Sequence, residues 1–118
     1  MNGHRGINEH RDRRELLLAL GWLYLRCGHH RRGLILILLA ANAAPEDQAV
    51  QRMLAWAFIV NGSGREALAA VERLEAADPD ADQPPLRLLR SRALWLMGRH
   101  QEARRCFADF VALREAQP

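Results

Sequence analysis

The sequence predicts an all-α fold of three helix-turn-helix repeats stacked as a short right-handed solenoid. Two observations carry this. Residues recur with a period of 34, from Gly28 to Gly62, from Trp22 to Trp56 and from Pro45 to Pro79, and a fixed period of that size marks a helical repeat. Leu and Ala are abundant and β-branched residues few, so summed propensity favours helix along almost the whole chain, and no strand-like alternation competes.

The period resolves into repeats at about 14–47, 48–81 and 84–115, each similar to the tetratricopeptide (TPR) pattern. In the first, Leu17, Leu20, Gly21, Tyr24, Gly28, Ala40 and Pro45 stand where that pattern takes large, apolar, small, aromatic, turn, small and proline residues. The second repeats the offsets with Leu54, Ala55, Phe58, Gly62, Ala67, Val71 and Pro79. The third follows two inserted residues, Asp82 and Gln83, with Leu94, Gly98, Ala103, Phe107 and Phe110 in register. One departure is Gly33, where the second helix of a repeat ordinarily carries alanine. Local signals place six helices at about 12–27, 30–43, 46–61, 64–77, 84–97 and 100–115. Ser63 with Glu66 forms a capping box, Asp12 with Glu15 resembles another, and Pro84 and Pro85 suit a first helical turn. Residues 1–11 are expected to form a mobile tail, leaving 12–118 as one TPR-like domain.

Composition narrows the function. All 17 basic residues are arginine, and 14 acidic residues are interleaved with them, so only residues 11–14 are densely basic. That distribution argues against a nucleic-acid surface. Cys27 and Cys106 fall in the first and third repeats, which do not touch in a solenoid, so no disulfide is expected. Residues 11–25 imitate an export signal, but Glu15 sits at the junction, Arg26 interrupts the apolar run and no small-residue cleavage site follows. The apolar run 34–44 holds Asn42 and ends at Pro45, short of the ~20 residues a membrane span needs.

The informative positions are apolar residues at offsets that ordinarily face solvent. On the first helix of each repeat these are Leu18, Trp22 and Leu25, then Trp56, Ile59 and Val60, then Leu88, Trp95 and Leu96. All three tryptophans are expected in one concave groove that takes an apolar peptide or helix, with Arg26 and Arg92 at its rim selecting acidic residues. Aromatic anchors in a concave surface are the usual hot spots of protein binding. A second patch, Ile35, Leu38 and Leu39, lies on the second helix of the first repeat, where the later repeats carry Ala69, Glu72 and Arg73, then Arg105, Ala108 and Asp109. Either the N-terminal tail, through Ile7, or a partner is expected to cover it. With no polar capping helix after the third repeat, the free protein is expected to be unstable or to self-associate.

No catalytic residue, cofactor or metal is expected. Cys27, His29 and His30 lack a second ligand cluster, and Gly62 and Gly64 belong to a helix-helix turn rather than a phosphate loop.

Within residues 16–46, LLLALGWLYLRCGHHRRGLILILLAANAAPE, the Gly21-Trp22 pair, the Cys27-Gly28-His29 turn and the proline-terminated second helix resemble the small TPR chaperones of bacterial type III secretion, of the YscY (SctY) kind. The length and three-repeat layout match as well. The resemblance implies a non-enzymatic chaperone in the bacterial cytoplasm, acting peripherally at the inner-membrane export apparatus. Its implied client is a small secreted protein of the YscX (SctX) kind, and its second partner is the cytoplasmic domain of an SctV-like export-gate protein. Needle-subunit co-chaperones, also short TPR proteins, are the nearest alternative. An arginine-rich helical repeat binding nucleic acid is the alternative of another class, and it predicts affinity that falls steeply with salt.

Overall fold

The computed structural model describes residues 2–78 and 84–116, with side chains from residue 9 onward. Six helices follow one another among the described residues: α1 (Asn2–Arg26), α2 (His30–Ala43), α3 (Gln48–Val60), α4 (Gly64–Ala77), α5 (Pro84–Leu96) and α6 (His100–Ala116). Each packs on its neighbour in sequence. In addition α1 touches α3 and α3 touches α5, whereas α2, α4 and α6 do not touch one another. The stack therefore bends toward its first helices, and α1, α3 and α5 form its inner side. The radius of gyration, 15.6 Å, exceeds the ~13.5 Å of a compact chain of this length, as a short solenoid requires.

The turn within each pair is built the same way three times. Gly28, Gly62 and Gly98 hold φ of 85°, 80° and 79°, a left-handed conformation that costs glycine nothing and other residues strain. The next amide in each turn closes the helix: His29 N–H donates to the Tyr24 carbonyl at 2.8 Å, Ser63 to Phe58 at 2.8 Å and Arg99 to Leu94 at 3.0 Å. In the first turn the Tyr24 and His29 rings also meet edge to face at 5.8 Å.

Two close approaches explain the glycines of the first pair. A Cβ on Gly33 would stand 2.8 Å from the Gly21 carbonyl oxygen, and one on Gly21 would stand 2.7 Å from Ile37 Cγ1. The helices α1 and α2 thus touch backbone to backbone, and this is why Gly33 replaces alanine. Ala55 and Ala67 hold the equivalent places in the second pair and are fully buried.

The core forms in overlapping clusters. Leu25, Leu34, Ile37, Val50 and Leu54 join α1, α2 and α3, while Leu68, Ala93, Leu94, Ala103 and Cys106 join α4, α5 and α6. Phe58 packs on both clusters. Ala55, Ala70 and Val71 seal the middle against Leu89.

Three expectations change. Helix α1 begins at Asn2 rather than near residue 12, because no proline or effective cap interrupts residues 2–11, so a tail through residue 11 gives way to continuous helix. Asp12 and Glu15 consequently lie inside α1 and cap nothing. Ser63 does precede α4, but its side chain makes no cap bond; its hydroxyl accepts from the Asn61 amide nitrogen at 3.3 Å. The side-chain cap is Asp47, which accepts from Ala49 N–H at 3.0 Å and Val50 N–H at 3.4 Å. Arg14 pairs with the same carboxylate at 3.6 Å, fastening α1 to the start of α3. The boundary expected between the second and third repeats falls in 79–83, outside the described residues.

Candidate partner-binding groove

Across the inner side runs a groove of about 470 Å³ lined by Trp22 of α1, Ala49, Arg52, Met53 and Trp56 of α3, and Pro85, Leu88, Leu89 and Arg92 of α5. The α3 and α5 residues each form one stripe at spacings of three and four, the helical periodicity of a single face. They are also repeat equivalents, 49 with 85, 52 with 88, 53 with 89 and 56 with 92. Sequence reading missed Ala49, Arg52, Met53, Pro85 and Leu89, and this paired stripe is the signal that finds them.

Each groove tryptophan carries an arginine. The Arg26 guanidinium lies 5.0 Å from the Trp22 ring centre, one turn along α1, and that of Arg92 crosses from α5 to lie 5.3 Å from the Trp56 ring centre. Such stacking is worth ~0.5–1 kcal/mol at an exposed site. A stacked guanidinium keeps its N–H fork free at the edge, and neither arginine forms an ion pair among the described residues. The groove thus offers apolar floor and carboxylate-binding rim side by side, the complement of an amphipathic helix with acidic flanks.

The structure distributes the expected residues unevenly. Trp22 is 43% exposed and available, and Trp56 and Leu88 are half-buried in the groove wall. Leu25 is a core residue, packed against Gly33. Leu18 and Val60 pack on the first core cluster and Ile59 on that of α4 to α6. Trp95 and Leu96 are exposed but lie outside the groove. Trp95 instead lines a depression between α5 and α6 and stacks on His100 with ring centres 4.1 Å apart. The reason is register. Trp22 and Trp56 share a repeat offset that Arg92 occupies in the third pair, whereas Trp95 stands three residues on, rotated by about 60° around its helix.

In the second patch Ile35, Leu38 and Leu39 are all open to solvent. Ile35 joins Leu20, Tyr24, Arg32 and Leu36 around a depression of about 340 Å³ at the α1/α2 end. Leu20 is exposed there although its equivalent Leu54 is buried, because α3 has a helix pair before it and α1 among the described residues has none. Residues 2–11 continue the line of α1 rather than folding back over α2. The Ile7 side chain lies outside the described residues.

Both cysteines are free, Cys27 exposed and Cys106 buried. Burial pushes the Cys106 thiol above its ordinary range, with Arg87 and Arg90 pulling only partly back, and its Sγ lies 3.2 Å from the Arg87 carbonyl as a donor. Among the described residues no three His, Cys, Asp or Glu side chains group as metal ligands, and no helix is long and apolar enough to cross a membrane.

Stacked helix pairs with an apolar, arginine-rimmed inner face define a TPR-like helical-repeat module. The solved structures of MamA AMB-1 and MamA MSR-1 share this fold, with TM-scores of 0.72 and 0.70 at 22% identity over 98% and 95% of the chain. The chain spans 62% and 63% of those proteins' length. Over 101 residues it is 34% identical to the chaperone protein YscY of Yersinia enterocolitica and to that of Yersinia pestis, covering 86% of this chain and 87% of theirs. No protein-family profile matches. The chain belongs to the YscY family of type III secretion chaperones.

Proposed function

We propose that the chain holds an amphipathic helix of a small secreted protein of the YscX (SctX) kind in the α1/α3/α5 groove and presents it to an SctV-like export gate from the cytoplasmic side of the inner membrane. The observation that carries this reading is the pair of arginine-stacked tryptophans, Trp22 with Arg26 and Trp56 with Arg92, facing one apolar floor. A bound helix would cover the indoles and place its own apolar side chains against Met53, Leu88 and Leu89, in the manner of helix-in-groove recognition. Its acidic flanks would take the two guanidinium edges. Binding rather than catalysis is the role this supports, since the groove joins apolar and cationic groups without a nucleophile and base in reach of one another.

The test is titration calorimetry of the client with the wild-type chain and with the Trp22→Ala/Trp56→Ala variant. We expect affinity to fall by about a hundredfold or more, as hot-spot aromatics dictate, with unchanged helical circular dichroism. Retained affinity in the folded double variant would refute the groove as the client site.

A further inference from the structure

The face formed by α5 and α6 differs from the two slots before it. In the first two pairs the depression between paired helices is filled by the first helix of the next pair, α3 on α1 and α2, then α5 on α3 and α4. Among the described residues nothing fills the α5/α6 depression. Val71 of α4 is fully buried, while its equivalent Phe107 of α6 is 49% exposed. The space, about 450 Å³, is lined by Leu88, Trp95, Ala103 and Phe107, with Arg92 and Arg104 beside them. Neither arginine is ion-paired among the described residues, and the Phe107 and Phe110 rings lie 5.7 Å apart. Terminal repeats of a solenoid ordinarily turn a polar face outward; this one turns out aromatic rings flanked by cations.

We infer that this face is a docking site for an amphipathic helix with acidic flanks, supplied by a partner protein, which completes the stack as the first helix of a fourth pair. The filled slot before it shows the apolar pattern required. α5 buries Leu86, Ala93 and Leu94 and packs the half-buried Leu89 on Val71 and its neighbours, in the order large (86), large (89), small (93), large (94), so the incoming helix carries the same seam. Its flanks differ from those of α5. Arg87 and Arg90 flank that seam in α5, and Arg90 meets Glu75 of α4 at 3.1 Å; the position equivalent to Glu75 on α6 is Val111, and Arg104 stands at the slot instead. Charge complementarity at the open slot therefore calls for carboxylates. This inference rests on the chaperone reading but uses residues distinct from Trp22 and Trp56. Leu88 and Arg92 line both sites, so α5 is their shared wall.

The test uses a fluorescein-labelled helical peptide carrying residues 84–96 of this chain with its three arginines changed to glutamate, and its unchanged counterpart as control. Fluorescence anisotropy is read against the full chain and its Phe107→Ala, Arg104→Glu and Trp22→Ala/Trp56→Ala variants. We expect the glutamate peptide to bind, to weaken about tenfold with either end-face variant, and to be unaffected by the groove variant. The arginine peptide should bind about tenfold more weakly. No binding of the glutamate peptide, equal binding of both peptides, or indifference to Phe107→Ala in a folded variant would overturn the proposal. So would sedimentation showing a dimer of the free chain that Phe107→Ala abolishes, since the occupant would then be a second copy. Loss of client binding in the groove variant alone leaves this site standing, which separates the two readings.

Discussion

The second and third helix pairs share one repeat pattern and the same glycine turn and have opposite fates at their far faces. Between α3 and α4, helix α5 settles over Val71 and excludes water from it, and Leu74 one turn on is buried as well. Between α5 and α6, the equivalent Phe107 and Phe110 meet no seventh helix among the described residues. The repeat pattern is the same in both places, so the difference lies in neighbours rather than in local sequence. In a solenoid, burial is a property of the stack, and an end unit keeps a binding surface that an inner unit spends on its successor.

The sharpest way to test that contrast is through paired truncations. Leu94→Ala, at a side chain 2% exposed, should cost ~2–5 kcal/mol through lost burial and a residual cavity. Phe107→Ala removes a larger side chain but should cost the free protein under about 0.5 kcal/mol, as surface substitutions do. Urea unfolding of both variants checks this, and similar losses would break the comparison.

A smaller effect is expected where α1 and α2 touch. Gly33→Ala gains ~1 kcal/mol of helix propensity, yet its new methyl meets the Gly21 carbonyl oxygen at 2.8 Å. Backbone cannot yield as a flexible side chain does, so overpacking worth ~1–3 kcal/mol should prevail and lower the melting temperature. At Ala67, the equivalent place in the second pair, the same methyl is already accommodated. A rise in melting temperature for Gly33→Ala would show that the two pairs pack alike.

Asp47→Ala should cost ~1 kcal/mol by removing the α3 cap, most of it unrelated to Arg14, since a partly exposed ion pair contributes little. Arg14→Ala measured beside it in urea separates the two contributions. The smallest effect concerns the thiols. Because burial raises the Cys106 value, the folded state keeps that proton to higher pH than the unfolded state does. The contribution is present below the ordinary thiol range of ~8.5 and is lost as pH rises through and above it. Wild type should therefore lose slightly more stability than Cys106→Ala between pH 8 and 10, and iodoacetamide at neutral pH should label Cys27 well ahead of Cys106.

Much of this architecture is legible in the sequence. The 34-residue period, the three turn glycines and the proline-led α5 place five of the six helices to within about two residues at each end. The start of α1 was not legible, because Asp12 and Glu15 satisfy a capping pattern that helix interiors also tolerate, and Gly3 and Gly6 weaken a helix without ending it. Ser63 misled similarly: its hydroxyl turned to Asn61, while Asp47, unremarked, took the capping role. At the groove, Trp22, Trp56, Leu88 and Arg92 follow from the register. Trp95 shares the offset of Leu25 and Ile59 rather than that of Trp22 and Trp56, and those three residues of helix carry it onto another face.

The central claim is that the inner side of the first helices is where the client lies. Hydrogen exchange of the chain alone and in its purified complex with the small secreted partner tests this directly. Added protection concentrated in α1 near Trp22, in residues 49–56 and in residues 85–92 is the predicted result. Protection confined to α2 and α4, with those three segments unchanged, would contradict it.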